Sequence, residues 1–99
     1  MIDTVLLLLD YRRAREKASR LEEIAGEIEN EARNRLGSSI EELGSNWKGD
    51  NAAAFLYKAE VMQEDLLEQA TKLRRIASTI RSAAKKVYDA EIAAAEIFK

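Results

Sequence analysis

The chain contains no cysteine, no histidine and no proline, and only four of its 99 residues are glycine. Without cysteine or histidine there is no disulfide, thiolate nucleophile, imidazole base or usual zinc or haem ligand. Neither catalysis nor a bound cofactor or metal is therefore expected. The lack of cysteine leaves the compartment open, because a stable helical protein needs no crosslink on either side of a membrane. Few turn formers and a charged fraction of 34% describe long helices rather than a sheet with many tight turns. Charge of one sign is also missing. Eighteen acidic residues are interleaved with 16 basic ones, for a net charge of −2, which leaves no nucleic-acid footprint and no patch for an anionic membrane. The densest basic cluster, Arg12, Arg13, Arg15 and Lys17, reads as a solvated helix face beside Glu16. The apolar run Val5 to Leu9 is too short to span a bilayer. It has no basic flank before it and no small-residue cleavage site behind it, so it is not read as a Sec-type signal.

What is present is periodicity. Phe55, Ala59, Met62, Leu66, Gln69, Leu73, Ile76, Ile80, Ala83, Val87, Ala90, Ala94 and Ile97 alternate steps of four and three without a break. That 3.5-residue period marks one long helix with a continuous packing seam, in which only Gln69 is polar. The first half carries Ala14, Ala18, Leu21, Ala25, Ile28, Ala32, Leu36, Ile40, Leu43 and Trp47, with consecutive four-residue steps after Ile28. Such a stutter locally unwinds a supercoil, and Gly37, Ser38 and Ser39 beside it predict a bend or loosened turn. Gly26 reads either as a site of close helix approach or as a tolerated surface glycine.

Between the stripes, Gly44 suits the left-handed residue that ends a helix. Asp50 or Asn51 suits the cap of the next. The expected architecture is all-α and single-domain over 1–99: helix 1 over about 4–43, a turn over about 44–50, and helix 2 over about 51–97. So short a connection makes the two helices antiparallel, a helical hairpin. Helix 2 carries a second apolar row at Leu56, Leu67, Ala70, Ala77 and Ala84. A face that wide fits a four-helix bundle, so a dimer of hairpins is expected, its many alanines permitting close approach to a partner. The candidate partner interface comprises Leu6, Leu9, Leu21, Ile28, Phe55, Met62, Leu66, Gln69, Leu73, Ile76 and Ile80. Val5 to Leu9 are apolar all round and call for a covering surface. A buried Gln69 would need a polar partner, either Gln69 of a second copy or a group on a different chain.

Trp47-Lys48-Gly49 stands at the midpoint and Ala52, Ala53, Ala54 and Phe55 follow at once. Tryptophan, any residue, glycine, then small residues and an aromatic opening helix 2: this resembles the turn of the WXG100 (ESAT-6-like) family of type VII secretion proteins. The resemblance extends through length, hairpin layout and the central motif. Physically, Trp47 can lid the end of the bundle with its indole N–H at the wet edge, and Gly49 can take a positive φ. The resemblance further implies a C-terminal export signal of a tyrosine followed four residues later by an acid. Here Tyr88 is followed at that spacing by Ile92, and the acids lie at Asp89 and Glu91, so the usual signal is not matched. Glu91 lies on nearly the same helix face as Tyr88 and is a candidate substitute. The plainer reading makes Tyr88 a flank residue beside the seam and Asp89 the partner of Lys85. Export would then depend on a partner that supplies the signal.

Two acidic ladders, Glu60/Glu64/Glu68 and Glu23/Glu27/Glu31, lack the histidines that a di-iron bundle requires. They read as solvated faces relieved by Lys72 and Arg35, and a thin hairpin offers no pocket for paired-carboxylate chemistry. The expected function is therefore binding. The resemblance implies a small non-enzymatic hairpin, made in the cytoplasm, that dimerises with itself or with an unlike hairpin or effector. It would engage the type VII secretion machinery and be secreted or displayed at the cell surface, without a cleaved signal, as or with a type VII substrate, with no nucleic-acid partner and no membrane insertion. The alternative is a cytosolic coiled-coil scaffold with no export role.

Overall fold

A computed structural model of the chain describes residues 3–97, and the described residues form helices and no strand. The first arm consists of α1 (Thr4–Asn30), a π-helical turn (Glu31–Leu36) and α2 (Gly37–Asn46). The second arm is α3 (Asp50–Ile97), and the two make a helical hairpin. The chain divides into two compact units. The turn unit runs from Glu23 to Leu73, and the terminal unit takes the described residues up to Glu22 and from Arg74 on.

In the terminal unit the first helix starts on Asp3, whose Oδ1 accepts the N–H groups of Val5 at 2.9 Å and Leu6 at 3.2 Å. This carboxylate satisfies two of the free donors at the helix start and sits favourably at the positive end of its dipole. Tyr11 packs on Tyr88 with ring centroids 4.8 Å apart and a tilt of 31°. Arg15 holds its guanidinium 5.8 Å from the centroid of the Tyr11 ring. One turn from Ala77, the Arg81 guanidinium donates to Ser19 Oγ at 2.9 Å and forms an ion pair with Glu22.

The turn unit is governed by the stutter. Had the heptad run on past Ala32, the next seam positions would be Arg35, Ser39, Glu42 and Asn46, all polar. Residues 31–36 instead wind as a π-helix, with the N–H of Gly37 donating back five residues to the carbonyl of Ala32. A π-turn takes up one extra residue, and it brings Leu36, Ile40 and Gly44 to half-buried positions in place of those polar ones. The irregularity expected near Gly37 thus takes the form of a π-turn just before it.

The connection is shorter than the 44–50 expected, because helix continues to Asn46 and resumes at Asp50. Gly44 is not the left-handed terminator. It lies inside α2, where a Cβ would stand 3.7 Å from Leu56 Cδ1, and the one positive φ among the described residues, 111°, belongs to Gly49. Extended backbone at Trp47 ends the first arm, after its N–H has donated to Leu43 O at 2.8 Å. The carbonyl of Gly49 accepts the N–H of Ala53 at 3.1 Å, so Gly49 and not Asp50 or Asn51 opens α3.

The hairpin's core is made of alanine. Ala18, Ala25 and Ala32 on the first arm and Ala52, Ala70 and Ala77 on α3 are its buried apolar residues, and no large side chain among the described residues is fully buried. The packed seam of α3 therefore takes Leu56, Ala70, Ala77 and Ala84 from the second row and Leu66, Leu73 and Ile80 from the first, leaving Phe55, Met62, Gln69 and Ile76 outside it. These six alanines serve approach between the two arms. Small side chains let backbones come close, and the bulky residues one position away are then left outside.

Candidate partner interface

Two groups of expected interface residues are separated by this packing. Leu21, Ile28, Leu66, Leu73 and Ile80 are half-buried inside the hairpin, whereas Leu6, Leu9, Phe55, Met62, Gln69 and Ile76 are exposed. In the turn unit Phe55 is 48% and Met62 57% exposed, with Gln69 open on the same heptad position. Gln69 is exposed in the single hairpin, so nothing within the chain pairs with it as a buried group. In the terminal unit Ile76 is exposed on α3, and Val5, Leu6, Leu8 and Leu9 are exposed on α1. Beside them an apolar groove of about 400 Å³ opens between Leu7, Tyr11, Ala14, Ile80, Ala83 and Val87.

At the turn, Trp47 is 41% exposed and packs on Phe55, ring centroids 5.5 Å apart and tilted by 50°. Gly49 carries the chain around this pair with a φ that a side chain would strain. The candidate export residues are dispersed among different contacts. Tyr88 leans on Tyr11, Lys85 Nζ donates to the Asp89 carboxylate at 2.8 Å, and Glu91 is half-buried. The hydrogen bond to Asp89 and its charge raise the Lys85 pKa above the ordinary 10.5. Among the described residues no group of histidine, cysteine, aspartate or glutamate could hold a metal ion. No described helix is long and apolar enough to cross a membrane.

Gln63 is the residue that sequence reasoning missed. It falls outside the predicted stripe, yet it is half-buried and its Nε2 donates to Ala32 O at 2.7 Å, across 31 residues. The available signal was its place three residues before Leu66 and seven before Ala70, a seam position of the second row.

An alanine-cored helical hairpin with an aromatic turn and exposed apolar side chains defines the class as that of small all-helical hairpin proteins. The sequence model of the family described as "Proteins of 100 residues with WXG" matches residues 9–92, and the chain belongs to this WXG100 family. The family is one of small helical proteins associated with type VII secretion. No curated protein and no solved structure matches the chain.

Proposed function

We propose that this protein works by binding, pairing its hairpin with a second one and leaving the cell as, or together with, a type VII secretion substrate. The observation that carries this reading is an imbalance. Among the described residues six alanines form the buried apolar core, while 13 large apolar side chains are exposed. A chain of this length gains little from so small a core, and covering Phe55, Met62, Ile76 and Val87 with a partner supplies the missing burial. The second hairpin is another copy of the chain or an unlike member of the family. Because Tyr88 and Asp89 are engaged within the hairpin, the reading further holds that the partner contributes the export signal.

Light scattering over a concentration series tests the pairing. A concentration-stable dimer that Met62→Lys and Ile76→Lys convert to monomer supports a bundle of two copies. A monomer that becomes stable only with a co-expressed hairpin identifies the unlike pairing. Monomers that bind no hairpin sink the proposal. Export is tested separately, by detecting the protein outside a cell that carries a type VII system and again after truncation beyond Val87. Retention in the cytosol with its partner present would favour a scaffold.

A further inference from the structure

Three features of the turn unit meet at one carbonyl. Ala32 is fully buried, and its oxygen accepts both the N–H of Gly37, which closes the π-turn and is shared with the carbonyl of Asn34, and Nε2 of Gln63 from α3. A carbonyl has two lone pairs and can take both donors. Gly37 makes the second possible, because a Cβ there would stand 3.2 Å from Gln63 Nε2, closer than that contact comfortably allows. In an uninterrupted α-helix the Gly37 N–H would bond four residues back, to Arg33. α2 would then turn by about 100°, the angle per residue of an α-helix, bringing Arg35, Ser39 and Glu42 toward the seam.

We infer that Gln63 is a register latch: its amide, donated across the hairpin, holds residues 31–36 in the π form against the α form one residue out of step. It thereby sets the face that α2 and Trp47 present. Gln63 is a positioning residue here, and it acts through the Ala32 carbonyl. The charged groups that share the groove of about 500 Å³ around it are Arg33 and Glu41 on the first arm, and Glu60 and Glu64 on α3.

The test uses the full chain, isotopically labelled, with amide exchange at Gly37 and the nuclear magnetic coupling across the Gly37 N–H to Ala32 C=O bond as readouts. In Gln63→Leu, exchange at Gly37 should quicken about fivefold, the worth of one hydrogen bond, while amides around Ala77 keep their rates. In Gln63→Glu the carboxylate cannot donate at neutral pH, so the same loss is expected. Once protonated it donates again, so the gap from the unaltered chain at the same pH should close as pH falls. Glu41, Glu60 and Glu64 push that introduced pKa up and Arg33 pulls it down. Unchanged coupling and exchange in both variants would overturn the latch. So would a Gln63→Glu defect indifferent to pH. If Gln63→Leu does not fold, the acid recovery of Gln63→Glu decides alone, recovery supporting the latch and its absence refuting it.

Discussion

The two units of this hairpin are closed by different chemistry. The turn unit packs Trp47 on Phe55 but is secured chiefly at main-chain groups, by the positive φ of Gly49, the π-turn over Glu31–Leu36 and the Gln63 side-chain amide on a main-chain carbonyl. The terminal unit is closed by side chains, by Tyr11 on Tyr88 and by Arg81 on Ser19 and Glu22. It also exposes Val5, Leu6, Leu8 and Leu9 along one helix start. A backbone device has one acceptable residue, whereas a side-chain clasp near water is modest in energy and exchangeable. The terminal unit should therefore be the first to open, and it should gain most from being covered.

The largest effects should come from the feature both units share, the alanine seam. Ala70→Leu in the turn unit and Ala77→Leu in the terminal unit should each cost about 1–3 kcal/mol by overpacking, read from urea unfolding midpoints. A cost confined to one of them would break the symmetry of the seam.

Gly49→Ala comes next, at about 1–3 kcal/mol for strain at a φ of 111°. Gly26→Ala has the opposite sign. Nothing stands within 4 Å of the place a methyl group would take there, so Gly26 is a tolerated glycine rather than a point of close approach. Alanine at this position should raise stability by about 0.5–1 kcal/mol.

In the terminal unit, a double-mutant cycle with Tyr11→Leu and Tyr88→Leu should return a coupling of about 0.5–1.5 kcal/mol, the range for packed aromatic pairs. Arg81→Met should cost less, about 0–1 kcal/mol, and the loss should shrink as salt is added because the pair is partly exposed. A salt-independent loss would show that packing by the arginine stem matters more than its charge.

The smallest effect is a matter of sign. Lys85 is held above its ordinary pKa of 10.5, first by the hydrogen bond to Asp89 and then by that residue's charge. Its contribution is fully present below 10.5 and is lost as pH rises through the raised value. Asp89→Asn should lower the neutral-pH thermal midpoint slightly and, in doing so, remove that alkaline decline.

Much of this was legible in the chain. The heptad from Phe55 marks α3, the stutter after Ile28 marks the irregular turn, and Trp47-Lys48-Gly49 marks the reversal. Each is a local pattern that owes little to its surroundings. Less legible were the role of Gly44, whose smallness admits Leu56 rather than ending a helix, and that of Gln63, whose acceptor lies 31 residues away. Gln69 sits in an apolar row yet is exposed in the single hairpin, because at its level it is Ala70 that turns inward.

That the chain is a helical hairpin, roughly where it reverses and where the first arm changes pitch are written in its residues. Periodicity, the absence of proline and one well-placed glycine are enough for that. How two overlapping apolar rows on α3 divide was left to packing: Leu56, Ala70, Ala77 and Ala84 turn inward with Leu66, Leu73 and Ile80, while Phe55, Met62, Gln69 and Ile76 stay outside. Adjacent positions of the two rows are similarly apolar, and the choice between them fell to the alanines, which let the two arms come close and leave larger side chains exposed.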